Sequence, residues 1–366
     1  MAGHIVLFGA TGYTGRLTAE AMLQRGDRPL LAARNASRVE AMASELGGLE
    51  WAVADVERPD SISALLGPGD VLVSTVGPFL QWGEPAVQAA IGRGTHYLDS
   101  TGEGTFIREV FEQFGPAAEA AGTGLVTAFG YDYVPGNLAG ALALREAGPA
   151  ATRVDVGYFF TGSATGGMSG GTRASAAGMV LEPAFTWRDG RLVSERGAAR
   201  ARSFQVEGRS RMGISIGTSE HFALPRLAPQ LRDVNVYLGW FGPLSRAMQG
   251  LSRGTSALTQ IPGARTALQE GLGRLLKGST GGPDALTRAR SGSHAVAVAS
   301  DPSGREVAEI HVAGPNAYTL TGALLAWGAA AAAEGGLKAT GALGPAEGFG
   351  LDELVAGCAE AGLKRV

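Results

Sequence analysis

Apolar residues in the first third of the chain fall into short runs, and the stretches between them repeat at a helical period. Ile5–Phe8, Leu30–Ala33, Trp51–Ala54, Val71–Thr75, Tyr97–Leu98 and Leu125–Ala128 read as buried strands. Leu17–Arg25, Ser37–Leu46, Ser61–Leu66, Glu84–Arg93 and Phe106–Ala121 read as helices. Strand and helix in this alternation predict an α/β fold, a doubly wound parallel sheet with helices on both faces.

Beyond Phe129 the pattern changes. Arg153–Phe160 alternates, with Val154, Val156, Tyr158 and Phe160 on one face, which predicts a half-exposed strand. Asp189-Gly190 lies between "AFTW" and "LVSE", and Asp301 to Gly304 lies between "SHAVAVAS" and "EVAEIHVA". Both are hairpin signals. Val234–Trp240 is a further strand candidate. The expected second domain is therefore α+β with a largely antiparallel sheet. Residues 316–366 return to helix, with a last helix from Leu351. The expected division is 1–135, 136–315 and 316–366.

The first strand runs into Gly9-Ala10-Thr11-Gly12-Tyr13-Thr14-Gly15 and then a helix. Glycines at this spacing permit a tight turn, close approach of a pyrophosphate to bare backbone, and close packing of helix on strand. The helix N-terminus then faces the phosphates. At the first strand-to-helix junction of a doubly wound sheet, this predicts a dinucleotide site. Where an NAD site carries a carboxylate, the second strand ends "LLAARNASR", with Arg34, Asn35 and Arg38. A guanidinium pairs bidentately with a phosphate, so the expected cofactor is NADP(H). Asp55 and Val56 follow the third strand at the expected adenine edge. Thr75, Val76, Gly77, Pro78 and Phe79 follow the fourth, near the expected nicotinamide.

Composition narrows the class. The chain has 366 residues, 45% apolar and 18% charged, with a net charge of −3. Its length suits two domains, and its charge disfavours broad nucleic-acid or membrane binding. The lone cysteine, Cys358, excludes an internal disulfide, and no Cys/His cluster has metal spacing. No secretory leader pattern is read at the N-terminus, and Leu320–Ala333 is too short to span a bilayer, so the expected location is cytoplasmic. From Gly242 to Arg290 basic residues outnumber acidic ones. This stretch reads either as a solvated helix with its loops or as a docking face for an acidic partner.

Side chains able to assist a hydride transfer cluster at strand ends. The lysines are Lys277, Lys338 and Lys364, and none follows a tyrosine by four, so a Tyr-x-x-x-Lys mechanism is excluded. "THYLDSTGE" offers Asp99, Thr101 and Glu103, and "GYDYVPGN" offers Tyr131, Asp132, Tyr133 and Asn137. Asp132 is the expected ligand-orienting carboxylate, Tyr131 or Tyr133 the expected proton donor, and Asp99 the next candidate. Thr101, Glu103 and Asn137 are candidate substrate contacts. So is Arg173, which follows a glycine loop at 162–175 that could seat an anionic group or act as a flap. His4, His221, His294 and His311 read as structural.

The segments "GATGYTG", "LAARN", "STVGPF", "GTHYLDSTGE", "AFGYDYVPGNL", "SGGTRAS" and "GALGPAEGFG" occur in the order found in saccharopine-dehydrogenase-like reductases. Within that family the chain resembles the actinobacterial trans-acting enoyl reductase group. The resemblance spans nearly the whole chain. It implies an NADP(H)-binding Rossmann domain carrying a mixed α/β domain, with the C-terminal helices packed back on the first. It also implies NADPH-dependent reduction of a C=C or C=N bond in lipid, polyketide or other specialised metabolism. The favoured form acts in trans on an enoyl thioester held by an acyl carrier protein or coenzyme A. Alternatives are a saccharopine-type imine reductase and a non-catalytic NADP(H) sensor, and a homodimer is among the assemblies allowed. The chain departs from the family at Ala90, where a cysteine is common. It departs again at Gly130 to Asn137, where the usual G-F-D-S-x-P-S-D becomes G-Y-D-Y-V-P-G-N. The two added phenols and the Gly136-Asn137 pair imply a different substrate.

Overall fold

A computed structural model of the chain describes residues 3–162, 183–240 and 281–366. Arg173, most of the 162–175 loop and most of the basic 242–290 stretch lie outside the described residues. The chain divides into two compact units. The first holds residues 1–102, 106–134 and 317–363, and the second holds 103–105, 135–316 and 364–366.

The first unit is a parallel sheet of β1 (Ile5–Phe8), β2 (Leu30–Ala33), β3 (Trp51–Val53), β4 (Val71–Ser74), β5 (His96–Asp99), β6 (Gly124–Val126) and β15 (Gly341–Ala342). The strand order is β15-β6-β5-β4-β1-β2-β3. Order reverses between β1 and β4, and in open α/β sheets ligands bind at the carboxyl ends of strands where this happens. The connecting helices are α1 (Tyr13–Arg25), α2 (Ala36–Glu45), α3 (Pro59–Ser63), α4 (Phe79–Trp82), α5 (Glu84–Arg93), α6 (Gly104–Glu109) and α7 (Gly115–Ala120). A π-helical turn, Val110–Phe114, joins the last two, so the expected helix 106–121 exists with a wider turn in its middle. Burial explains the short apolar runs: Val6, Leu7, Leu31, Leu72, Val73 and Leu98 are all interior, as fits strands covered on both faces.

The second unit opens with α8 (Val134–Ala147), which the chain enters in the first unit and leaves in the second. Its sheet contains β7 (Arg153–Gly162), β8 (Pro183–Arg188), β9 (Arg191–Arg196), β10 (Ala201–Val206), β11 (Arg209–Ser215), β12 (Asp233–Leu238), β13 (Ser291–Ser300), β14 (Glu306–Pro315) and β16 (Lys364–Arg365). The main path is β10-β11-β12-β7-β13-β14-β16, with β8 and β9 paired off β12. Both expected hairpins form, β8–β9 and β13–β14. The sheet is mixed, because β12 runs parallel to β7. Short helices α9 (Glu220–Leu227) and α10 (Ala285–Ala289) complete the described part.

One expectation fails in an informative way. β7 is interior from Val154 to Phe159 rather than half-exposed. Its second face is closed by β10, whose Phe204 packs against Phe159 at 5.8 Å between ring centroids. Phe204, Val206, Tyr237, Val296 and Val298 join Phe159 in that cluster. Asp155 on β7 is buried beside it. It accepts from Asn235 Nδ2 at 2.7 Å and Arg153 Nε at 2.9 Å, and it also pairs with Arg202. A carboxylate so deep is held only by such partners.

The C-terminal part rejoins the first unit. It contains α11 (Ala317–Ala333), α12 (Pro345–Phe349) and α13 (Leu351–Glu360). The apolar run at 320–333 is explained by the burial of α11, including Leu320, Leu324 and Leu325. Among the described residues no helix is long and apolar enough to cross a membrane.

Candidate cofactor and active site

The turn after β1 is shaped by close backbone approach. Gly9 has φ +86°, and a Cβ there would stand 2.7 Å from Thr75 Oγ1. A Cβ on Gly15 would stand 2.3 Å from the Gly9 carbonyl oxygen, so α1 begins flush against the turn. Gly9 N–H and Ala10 N–H both donate to the Ala32 carbonyl at the end of β2. Gly12 is exposed and caps α1 without any side-chain hydrogen bond. The first turn of a 13-residue helix therefore keeps its N–H groups uncapped by side chains, and the helix dipole favours an anion there. Thr11, Tyr13 and Thr14 are half-exposed around this turn, and Ala10 is buried beneath it.

At the end of β2 the sequence places three polar residues together. Asn35 caps α2, its Oδ1 accepting from Arg38 N–H at 2.9 Å. Arg34 and Arg38 are exposed, and among the described residues neither guanidinium has an ion pair or hydrogen bond. Arg16, on α1 just after the glycine turn, behaves otherwise, bonded to Glu20 at 2.9 Å and to Glu45. Two unpaired guanidiniums beside an uncapped helix N-terminus fit a nucleotide carrying both a pyrophosphate and a 2′-phosphate. The residues present thus suit NADP(H).

The ends of β3 and β4 complete the edge. Asp55 Oδ1 accepts from Glu57 N–H at 3.1 Å, bracing the turn that carries half-exposed Val56. Thr75 Oγ1 lies 3.2 Å from the carbonyls of both Phe8 and Gly9, tying the β4 loop to the glycine turn. Val76 is half-exposed, and Gly77 and Pro78 are exposed and joined by a cis peptide. Phe79 differs from its neighbours. Its ring is mostly buried against Phe106 at 5.6 Å. Val56, Phe79, Trp82, Glu84 and Glu109 line a cleft of about 250 Å³. Burial, helped by Glu84, raises the Glu109 carboxyl above its ordinary range.

The other candidates follow β5 and β6. Asp99 is fully buried and spends its carboxylate on the chain around it. It accepts from Thr101 N–H at 2.9 Å, Ala128 N–H at 2.8 Å and Thr127 Oγ1 at 2.8 Å. Burial pushes its pKa up to about 6, against the pull of those bonds. Burial and the Asp99 charge together push the Tyr97 phenol well above its ordinary range. Tyr133 is buried, and its hydroxyl donates to the Gly102 carbonyl at 3.0 Å. Tyr131 is 2% exposed, and its N–H donates to Thr321 Oγ1 at 3.0 Å. Asp132 alone in this trio is half-exposed, and it stands against Gly102, where a Cβ would lie 3.1 Å from its Oδ2. The first unit thus brings Asp99, Thr101, Tyr131, Asp132 and Tyr133 together, with Asp99 and Tyr133 holding the loop and Asp132 half-exposed, its Oδ1 buried.

The described candidate substrate contacts are divided between the two units. Thr101 is buried, Glu103 is half-exposed and belongs to the second unit, and Asn137 is buried with its Nδ2 donating to Ser219 Oγ at 3.0 Å. The Gly136-Asn137 pair has a local cause in this second unit. A Cβ at 136 would stand 2.2 Å from Tyr158 Oη and 2.4 Å from Glu220 Oε1. Tyr158 Oη accepts from Gly136 N–H at 2.8 Å and donates to Glu220 at 2.6 Å. Burial lifts the Glu220 pKa to about 7 and drops that of its buried neighbour His221 to about 3. The sequence carries no signal for Glu220, an isolated acid between "GTS" and "HFAL". Three of the histidines make internal contacts: His221 Nδ1 faces Thr218, and His294 and His311 share a hydrogen bond of 2.9 Å. Among the described residues no cluster could hold a metal ion.

Comparison with known proteins fits this geometry. Residues 5–126 match the saccharopine dehydrogenase NADP binding domain, so the first unit binds NADP(H). A candidate trans-acting enoyl reductase of Mycobacterium tuberculosis is 34% identical over 282 residues, covering 70% of this chain and 67% of that protein. A trans-acting enoyl reductase of Mycobacterium leprae is 39% identical over 140 residues, 37% of this chain and 34% of that one. Among solved structures, apo saccharopine dehydrogenase (L-Glu forming) from Saccharomyces cerevisiae superposes with a TM-score of 0.63. That likeness covers 100% of this chain and 99% of that one at 13% identity, and it shows the shared α/β fold. The chain belongs to the saccharopine dehydrogenase-like family of NADP-dependent oxidoreductases, alongside the relatives named trans-acting enoyl reductases.

Proposed function

We propose that this oxidoreductase reduces the C=C bond of an enoyl thioester carried by a separate protein or by coenzyme A. The observation that carries this reading is the 34% identity over 282 residues with a relative named for that activity. The geometry supports the division of labour. Gly9 to Gly15 receive the pyrophosphate, and Arg34 and Arg38 take the 2′-phosphate. Residues 55–56 and 75–78 frame the adenine and nicotinamide ends.

Bound NADPH supplies the hydride. The protein then has to hold the acceptor, exclude water and steady the charge that develops. Asp132 is the half-exposed carboxylate at the carboxyl edge of the sheet, and we assign it the orientation of a ribose or substrate hydroxyl. The Tyr133 hydroxyl donates a hydrogen bond to the Gly102 carbonyl, so we assign the proton-delivering role to Tyr131 in the same loop. Asp99 acts by bracing that loop.

The test is turnover. Purified protein, NADPH and a 2-enoyl thioester on an acyl carrier protein should consume NADPH and yield the saturated thioester by mass spectrometry. NADPH oxidation only with amine and oxo-acid pairs would overturn the enoyl assignment, and NADPH binding without turnover on either would overturn catalysis.

A further inference from the structure

The first two turns of α11 touch two loops of the first unit that are distant in sequence. Tyr318 sets its ring edge-on to Tyr13 of the glycine turn, with centroids 5.2 Å apart and planes at 86°. One turn on, Thr321 Oγ1 accepts the Tyr131 N–H at 3.0 Å and donates to the Ala317 carbonyl at 2.8 Å. That donation fixes the hydroxyl hydrogen and leaves a lone pair for Tyr131. The fit around it is close. A Cβ on Gly130 would stand 2.7 Å from Thr321 Cγ2, and a Cβ on Gly322 would stand 3.0 Å from the Leu17 backbone of α1. One buried helix therefore rests on the helix that leaves the cofactor turn and on the loop that carries Asp132.

Packing alone does not ask for this chemistry. Tyr13, Tyr318 and Thr321 are half-exposed, at the rim of the unit rather than in its core. A valine would fill the volume of Thr321, yet it would leave the Tyr131 N–H without its acceptor. We propose that Thr321 and Tyr318 are positioning residues that couple occupation of the glycine turn by the cofactor to the geometry of the 130–133 loop. Packed helices shift as units, so a restraint placed on Tyr13 by a bound dinucleotide reaches the loop through Tyr318, α11 and Thr321. This rests on the assignment of NADP(H) to the glycine turn.

Hydrogen exchange of the peptide spanning 128–134, with and without NADPH, tests the coupling beside a binding titration. NADPH should slow exchange there in the native protein. Thr321→Val should raise exchange about five- to ten-fold and erase the NADPH-dependent protection, with the NADPH Kd held within about two-fold. Thr321→Ser, which keeps the acceptor, should restore both. Tyr318→Leu, which leaves Thr321 in place, should keep the unliganded exchange rate and lose the response to NADPH. Full NADPH-dependent protection in Thr321→Val or in Tyr318→Leu, with cofactor bound, would overturn the coupling alone. Failure of the native protein to bind NADPH would overturn the coupling together with the reading beneath it.

Discussion

At the end of β2, Arg34 and Arg38 stand exposed with no ion pair among the described residues, beside a helix N-terminus without a side-chain cap. At the ends of β5 and β6 two polar groups are turned inward: Asp99 accepts three hydrogen bonds and Tyr133 donates to Gly102. Cation and N–H groups left unsatisfied by the protein await a ligand, whereas groups already satisfied inside it keep a backbone in place. The two regions look alike in sequence, as polar residues just past apolar strands. They differ in whether the fold has already used their bonding capacity.

Substitutions can break this contrast or sharpen it. The largest effect belongs to Gly12→Val. Gly12 has φ −77°, which any residue adopts, and a Cβ there meets only the Gly9 carbonyl oxygen, at 3.2 Å, so the turn has to give by a few tenths of an ångström. A branched side chain would also occupy the approach to the phosphates, and calorimetry should show NADPH affinity falling by about a hundred-fold or more. An unchanged affinity would place the pyrophosphate elsewhere. Asp132→Asn comes next, with a fall in turnover of about ten- to a hundred-fold and little loss of thermal stability. Equal rates would return Asp132 to a structural role.

Tyr133→Phe tests the opposite side. It removes one part-buried hydrogen bond, so denaturant unfolding should register about 1 kcal/mol of lost stability. The smallest effect is a change of pH slope. Burial raises the Glu220 pKa from 4.5 to about 7, so between those values the folded protein holds a proton that the unfolded chain releases. Stability contributed by the protonated acid is therefore lost as pH rises through that window, while buried His221 works in the other direction below pH 6.5. Glu220→Gln removes only the first contribution. Its stability relative to the native protein should climb from pH 4.5 to pH 7, as read by urea midpoints, and a flat difference would remove the buried acid from the account.

The same contrast explains how much of the molecule is legible in its sequence. The first unit can be read because each of its strands but one is an apolar run bounded by a turn, and because the glycine turn is sharply patterned. β15, only Gly341–Ala342, has no run to read and exists because its backbone pairs with β6. In the second unit β10 and β11 escape the pattern. "ARSFQV" and "RSRMGIS" carry arginines at exposed or half-exposed positions, and no Asn-Gly or Asp-Gly turn announces the hairpin. β7 reads as half-exposed because the strand that covers its second face is one of those without a signal. The glycine turn and the β2 cations are legible as a binding region since ligand-directed groups are local in sequence. The roles of Asp99, Tyr133 and Glu220 are not, because burial by distant segments decides them.

The measurement that bears most directly on the central claim is the pair of dissociation constants for NADPH and NADH, in the native protein and in Arg34→Ala. If the exposed guanidinium at the end of β2 receives the 2′-phosphate, the native protein should favour NADPH. The substitution should then weaken NADPH by about ten- to a hundred-fold and leave NADH nearly unchanged, since a charge-assisted bond to phosphate contributes about 1.5–3 kcal/mol. Equal weakening of both, or native binding that does not distinguish them, would contradict the account.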